Sequence, residues 1–196
     1  MLFDEPLSNL DAKLRVITRV QIKKLLIRFN VTSVYVTHDQ TEAISIGDII
    51  GIMHEGKILQ VGTYKEIINN PKNVFIASFV GRPPMNLIEA KIIDSKIYIG
   101  NHIIPIKEYI ENGDYIIGFH AKDIKLDPKG DFKGEIFFID GTPSDPFRIL
   151  HVQTQENLNI KIESKANIGF KTGDMVSFYL PEKLFIFKKN SGERVI

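Results

Sequence analysis

The 196-residue sequence contains no cysteine and no tryptophan. The lack of cysteine excludes a disulfide scaffold, a thiolate metal site and a cysteine nucleophile. No apolar run approaches the ~20 residues of a membrane-spanning helix, and no basic-then-apolar signal segment opens the chain. Neither sign of charge is in excess, since the chain has 25 basic and 24 acidic residues. This balance argues against a nucleic-acid partner. We therefore expect a soluble, unsecreted protein.

The residues that are present indicate a globular protein. Hydrophobic residues make up 43% of the chain and charged residues 25%, and the length suffices for one ordinary domain or two small ones. The first residues, Met1-Leu2-Phe3-Asp4, resemble the end of a buried strand without a cap or a polar lead-in. Because a core strand needs neighbours, this opening predicts that the chain is a fragment.

The first part of the chain alternates between strand and helix patterns. Helical spacing covers residues 8–29 and 39–46, and runs rich in β-branched residues cover 33–37 and 48–53. This order predicts an α/β layer with about three parallel strands. In the first helix, Leu14, Ile17 and Val20 predict a face toward the core, and the interspersed basic residues predict a solvated face.

The second part changes to a β pattern. Gly81-Arg82-Pro83-Pro84 combines backbone freedom with stiffness, and it predicts a linker at residues 81–86 between domains at 1–80 and 87–196. Short apolar segments separated by Gly, Asn, Asp and Pro follow, which is typical of a small barrel or sandwich. Residues 107–111 are expected to form one helical turn.

Two adjacent carboxylates, Asp4 and Glu5, end the first apolar run. Ligands of parallel α/β folds bind at the carboxyl ends of the strands, and neighbouring strand residues point to opposite sides. One acid could therefore hold a hydrated magnesium ion while the other orients or deprotonates a water molecule. Taken alone, however, the pair is better explained as two solvated acids at the end of a strand.

Two longer segments resemble a known family. Asp4-Glu5-Pro6-Leu7-Ser8-Asn9-Leu10-Asp11, followed after one helix and one strand by Val36-Thr37-His38-Asp39-Gln40-Thr41-Glu42-Ala43, is similar to the ATP-binding-cassette (ABC) transporter ATPases. The resemblance is closest to importers of maltose-type sugars and glycerol phosphate. It implies the C-terminal part of a truncated P-loop NTPase.

The resemblance also implies roles for individual residues. Asp4 would end the Walker B strand and hold Mg²⁺ through water, Glu5 would polarise the water that attacks ATP, and His38 would contact the γ-phosphate. The implied loop that crosses the dimer interface contains Ser8, Asn9 and Asp11. ATP and Mg²⁺ would be bound only in a completed site.

The resemblance continues more loosely beyond the linker. Residues 180–187 and 191–194 match the closing strands of the family's OB-like (TOBE-type) β domain, which is regulatory. His120-Ala121-Lys122 departs from the family's Arg-Pro-Glu at the corresponding place. By resemblance, the intact protein would be a cytoplasmic subunit on the inner face of the membrane. It would form a homodimer with a second ATPase subunit and would bind transmembrane permease subunits.

The phosphate-binding loop G-x-x-x-x-G-K-[ST] of this family is missing from the sequence. Residues 51–57 match its first seven positions, but Ile58 lacks the required hydroxyl and the segment has a strand-and-turn pattern. The LSGGQ-type signature and the permease-gripping helical subdomain are missing as well. We therefore expect the isolated chain neither to bind ATP tightly nor to hydrolyse it.

Three interpretations remain open at the level of the sequence. The chain is the C-terminal part of an importer ATPase that a polypeptide with the missing N-terminal part completes, or a regulatory or dimerisation module based on its β domain, or a non-functional remnant. The transported substrate cannot be chosen from these residues.

Overall fold

The computed structural model describes residues 1–196, which fall into two units, Met1–Asn70 and Pro71–Ile196. The first unit contains β1 (Leu2–Asp4), α1 (Ala12–Phe29), β2 (Val34–Val36), α2 (Gln40–Ile46), β3 (Ile50–His54), β4 (Lys57–Gly62) and α3 (Tyr64–Asn69). The second contains α4 (Val74–Phe79), β5 (Asn86–Ile93), β6 (Lys96–Ile99), β7 (His102–Pro105), β8 (Gly113–Phe119), β9 (Lys125–Leu126), β10 (Phe132–Asp140), β11 (Phe147–Thr154), β12 (Asn159–Lys165), β13 (Met175–Tyr179) and β14 (Phe185–Lys188). The predicted linker lies within the second unit, downstream of this division.

The parallel sheet of the first unit is smaller than predicted. It consists of β1 and β2, with Leu2, Phe3 and Asp4 opposite Val34, Tyr35 and Val36. The expected third strand, β3, instead pairs antiparallel with β4, and a tight turn at Glu55 and Gly56, both at positive φ, joins them. The hydrogen bonds of β3 are therefore made within the hairpin.

Helix α1 begins after Asp11, whose carboxylate accepts a hydrogen bond from the Leu14 amide at 2.9 Å, and ends at Asn30 in the left-handed conformation. None of its residues is buried, and its large apolar residues lie mostly exposed. Arg15 and Lys23 on the opposite face are half-buried against α2 and its flanking residues. The predicted orientation of the helix is thus wrong, because polar contacts with α2 position it.

The second unit is rich in β structure, as predicted. Its sheets have the orders β14-β8-β5-β6-β7 and β12-β11-β10-β13-β9, and every pairing is antiparallel. Alternate residues of the strands are buried, as in β5, and both sheets supply the core. The largest fully buried side chains of this core include Phe119, Phe178, Ile117 and Ile136.

Two close approaches fix the geometry of the sheets. The buried side chain of Asn86 in β5 donates a hydrogen bond to the Lys161 carbonyl and accepts one from the Lys161 amide, both at 2.8 Å, so one amide joins the two sheets. In β10, a Cβ atom at Gly134 would lie 2.5 Å from the backbone oxygen of Gln153, so the strands require glycine there.

Side-chain caps start the shorter helices. Thr63 and Glu66 form a reciprocal capping box at α3, and hydrogen bonds from Thr63 lower the pKa of the Glu66 carboxyl group. Asn73 caps α4 through the amide of Ile76 at 2.9 Å. No helix has both the length and the apolar character needed to span a bilayer.

Candidate functional site

Glu5 and His38 meet at one edge of the parallel strand pair. Asp4, the last residue of β1, lies opposite Val36, the last residue of β2, so the residues that follow the two strands lie close together. The Glu5 amide donates to the Val36 carbonyl at 3.0 Å. His38 Nδ1 lies 3.0 Å from Glu5 Oε1. The fold therefore places a carboxylate and an imidazole in direct contact at this edge.

The backbone at Glu5 adopts a conformation that is uncommon for a residue with a side chain. Its φ of 43° lies in the left-handed region, and β1 has already ended at Asp4, so the two acids do not occupy consecutive strand positions as expected. Both the amide and the hydroxyl of Ser8 donate to the Glu5 carbonyl, at 3.2 and 3.0 Å. Strain of this kind persists where neighbouring contacts hold it, often at functional sites.

The contact between the two side chains changes the acid–base behaviour of His38. The hydrogen bond and the charge of Glu5 raise the pKa of the imidazole above its ordinary value, with smaller contributions from Glu42 and Asp39. Both partners are open to solvent, since the side chain of His38 is 74% exposed and that of Glu5 is 46% exposed. When protonated, His38 donates to Glu5 through Nδ1, so Nε2 can donate to an anion.

Replacing Glu5 with glutamine is expected to lower the pKa of His38, because the variant keeps the shape of the side chain but loses the charge that stabilises the imidazolium. An NMR titration of the histidine ring signals in the full chain measures this change. The remaining histidines act as internal controls and should titrate as in the unaltered chain. An unchanged midpoint for His38 would contradict the contact.

The other predicted site residues lie on the surface beside this pair. The Asp4 carboxylate is exposed at the end of β1, and Asn9 is exposed in the loop formed by residues 8–11, termed here the 8–11 loop. Ser8 uses its hydroxyl to hold the Glu5 carbonyl, and Asp11 uses its carboxylate as the cap of α1. The sequence has capping-type side chains at Ser8, Asn9 and Asp11 at the start of this helix, and the structure confirms Asp11 as the cap. The hydrogen bond from Ser8 to the Glu5 carbonyl was not predicted.

A buried carboxylate lies behind His38. Glu42 of α2 is only 3% exposed, and its Oε2 accepts hydrogen bonds from Tyr35 Oη at 3.1 Å and from Thr37 Oγ1 at 2.8 Å. Burial and the nearby Glu42 raise the pKa of the Tyr35 phenol well above its ordinary value. Thr37 Oγ1 also accepts from the Asp39 amide at 3.0 Å. Glu42 thus anchors Thr37 directly and Asp39 through Thr37. These two residues flank His38 in residues 37–39, termed here the 37–39 loop.

Arg15 of α1 lies between the two loops. Its Nη2 donates to the Leu10 carbonyl at 3.0 Å, its Nη1 lies 3.9 Å from Asp39 Oδ2, and its Nε lies 3.9 Å from Glu42 Oε1. Arg15 Nε is buried and makes no hydrogen bond. The pattern of the sequence predicted a solvated face for Arg15 and no role for Glu42. Their positions in the sequence could have indicated them. Each lies about one helical turn after the aspartate that caps its helix, and each helix starts beside one of the two loops.

The partial phosphate-loop pattern at residues 51–57 lies in a β-hairpin. It covers most of β3, the turn at Glu55 and Gly56, and the first residue of β4. A phosphate-binding loop connects a strand to a helix whose first amides face the phosphates. The hairpin provides no such helix, and the match is coincidental.

Comparison with known proteins identifies relatives along the whole chain. It is 37% identical over 204 residues to the sn-glycerol-3-phosphate import ATP-binding protein UgpC of Psychromonas ingrahamii, covering 99% of this chain and 54% of that protein. It is 38% identical over 178 residues to the oligosaccharides import ATP-binding protein MsmX of Bacillus subtilis, covering 91% and 45%. Identity to the diacetylchitobiose uptake system ATP-binding protein MsiK of Streptomyces coelicolor is 49% over 105 residues, covering 54% and 28%. No protein-family model matches the chain.

These relatives are import or uptake ATP-binding proteins, as the resemblance in the sequence predicted. The chain spans about half the length of the first of them. The similarity therefore applies to a part of such a protein.

Proposed function

We propose that this chain is the C-terminal part of an ABC importer ATPase subunit, which uses ATP hydrolysis to drive uptake of sugars or related solutes. The contact between Glu5 and His38 at the end of the parallel strands carries the proposal, because it joins an acid and an imidazole beside an open edge. The names of the relatives support the same class of transported solute.

In this proposal, the two side chains divide the work of phosphoryl transfer to water. The Glu5 carboxylate accepts a hydrogen bond from the attacking water and orients it toward the γ-phosphate. His38, kept protonated more readily by Glu5, donates from Nε2 to a γ-phosphate oxygen. Since phosphoryl transfer depends mainly on positioning and on neutralising charge, holding these two groups together serves both requirements.

Asp4 provides the donor that a magnesium ion would require. Mg²⁺ prefers oxygen ligands, keeps several waters, and is commonly bound through one or two carboxylates together with substrate phosphates. The exposed Asp4 carboxylate at the strand end fits this description through a bridging water. When bound, the ion would neutralise charge on the β- and γ-phosphates.

The proposal also assigns partners to the surfaces of the chain. The 8–11 loop, with Ser8, Asn9 and Asp11, faces a second ATPase subunit across a homodimer interface. Residues 87–196 form an OB-like, TOBE-type regulatory domain. The two ATPase subunits together bind transmembrane permease subunits at the cytoplasmic face of the membrane. The β-rich second unit with its own core supports the domain assignment.

Catalysis in this proposal also requires a phosphate-binding loop. Backbone amides of a glycine-rich loop and its lysine hold the phosphates of ATP in P-loop enzymes, and the present sequence lacks that loop. Asp4, Glu5 and His38 complete such a site but do not create one. We therefore propose that ATP binding requires a polypeptide carrying the phosphate loop and the LSGGQ-type signature.

Titration calorimetry with Mg-ATP tests this proposal. The full chain alone should give no binding heat, and its mixture with a separately expressed polypeptide carrying the missing segment should bind ATP and release phosphate. The added polypeptide alone provides the baseline. Tight binding by the chain alone would overturn the requirement for a partner, whereas no binding in the mixture would overturn the ATPase assignment.

A second candidate function follows from the second unit. Its two five-stranded sheets enclose a continuous apolar core, so this unit can act as a regulatory or dimerisation module without nucleotide. Dimerisation of the chain without ATP binding in any mixture would favour this module. Absence of both activities would favour a non-functional remnant.

A further inference from the structure

We infer that Arg15 and Glu42 form a relay that couples the 8–11 loop to the 37–39 loop, so that the state of the first loop positions His38. The inference rests on the proposed function, in which the 8–11 loop meets a second subunit and His38 meets the γ-phosphate. Arg15 and Glu42 are positioning residues in this scheme, since neither contacts the reacting atoms.

The first half of the relay is the contact between Arg15 and the 8–11 loop. Arg15 Nη2 donates to the carbonyl of Leu10, the residue before the cap of α1, at 3.0 Å. The Arg15 amide also donates to the Asp11 carbonyl at 2.9 Å in the first turn of the helix. A displacement of the 8–11 loop therefore moves the acceptor of the guanidinium group and the start of the helix that carries it.

The second half leads from Arg15 to His38. The guanidinium faces Glu42 Oε1 and Asp39 Oδ2, each at 3.9 Å, while Glu42 Oε2 holds Thr37 at 2.8 Å. Thr37 and Asp39 are the neighbours of His38 in the chain. Their own hydrogen bond, from the Asp39 amide to Thr37 Oγ1, closes the 37–39 loop around it. Any shift of Glu42 is therefore transmitted to both sides of His38.

The contacts of Arg15 are compatible with two positions of its guanidinium group. A buried guanidinium nitrogen without a hydrogen bond is costly, and Nε is such an atom, 3.9 Å from a carboxylate oxygen. A small movement of the guanidinium would close this distance to a charge-assisted hydrogen bond. Lysine lacks the planar fork that reaches the Leu10 carbonyl and Glu42 together, so the coupling requires arginine.

A double-mutant cycle followed by amide hydrogen exchange tests the relay in the full chain without nucleotide. Asp11→Ala removes the cap of α1 and loosens the 8–11 loop. In the unaltered chain, it should accelerate exchange of the Asp39 and Thr41 amides roughly 2- to 30-fold, the range expected of energetic coupling between sites. In the Arg15→Lys variant, adding Asp11→Ala should leave the exchange rates of both amides unchanged.

Lys23 provides the matched control. It joins the same two helices at their other end, with Nζ 2.7 Å from the Ile46 carbonyl and 2.9 Å from Asp48 Oδ1. With Lys23→Ala, the response of Asp39 and Thr41 to Asp11→Ala should persist. Asp11→Ser, which retains a capping oxygen, should produce a smaller response than Asp11→Ala. Should Asp11→Ala fail to fold, Asn9→Gly loosens the same loop through backbone freedom.

Equal responses in the unaltered chain and in the Arg15→Lys variant, or no response in the unaltered chain, would overturn the relay. Loss of the response with Lys23→Ala would also overturn it, because general packing of the helices would then be the cause. These results do not depend on ATP. A failure of the calorimetric test would remove the proposed function and leave the measured coupling in place, whereas equal responses would remove the relay alone.

Discussion

Replacing Glu5 with glutamine is expected to lower ATP turnover about 10²- to 10⁴-fold once the chain is combined with a polypeptide that supplies the phosphate loop. The reduction is that of losing a positioned general base, because glutamine keeps the shape of Glu5 but cannot accept a proton. ATP binding should persist, since the phosphates are held by other groups. Phosphate release at saturating Mg-ATP measures turnover, and calorimetry measures binding.

Glu55 offers a matched control for this substitution. It is also a glutamate in the left-handed conformation, with φ of 47°, and His54 Nε2 lies 4.0 Å from its carboxylate. It belongs to the turn between β3 and β4 rather than to the end of the parallel strands. Glu55→Gln should leave turnover unchanged. Similar losses in both variants, or full turnover with Glu5→Gln, would contradict the assigned role.

Replacing Phe178 with alanine is expected to reduce the free energy of unfolding by about 3–5 kcal/mol, the cost of removing a buried aromatic side chain from a core that cannot fully collapse. Phe178 in β13 is fully buried and stacks on Phe132 of β10, with ring centroids 5.7 Å apart. Urea denaturation of the full chain, followed by circular dichroism, measures the change.

Phe137 in β10 is the matched control for this substitution. It is a phenylalanine of the same sheet, but it is 48% exposed. Phe137→Ala should cost about 1 kcal/mol or less, as expected for a residue outside the core. A loss of unfolding free energy in Phe137→Ala as large as that in Phe178→Ala would contradict the placement of Phe178 in the core and Phe137 at the surface.

Local signals in the sequence predicted most of the elements. The helical spacing of residues 39–46 corresponds to α2, which Asp39 caps, and the β-branched run of residues 33–37 contains β2. Residues 107–111 form a bend and irregular backbone rather than the expected helical turn. The orientation of α1 was also mispredicted, because helical periodicity identifies two faces but does not identify the partner of either.

The candidate site was predicted less completely than the fold. The resemblance to the ABC ATPases pointed to Glu5 and His38, which the parallel pairing of β1 and β2 brings together. It did not point to Arg15 or Glu42, because their contacts join separate elements of the fold and leave no local pattern in the sequence. The left-handed backbone at Glu5 was equally unforeseen, since no glycine marks that position.

The exposure of the pair formed by Glu5 and His38 has a consequence for how strongly the two charges interact. In contact with bulk solvent, the attraction is damped by a dielectric constant near 80 and screened by salt over a Debye length of about 8 Å. Covering the pair, so that the effective dielectric constant falls to about 20, would strengthen the attraction about fourfold. Covering the pair would also remove both charges from water, which disfavours the charged form of His38. The apposition of another surface therefore changes the electrostatics of the pair in two opposing ways, without any change in its own residues.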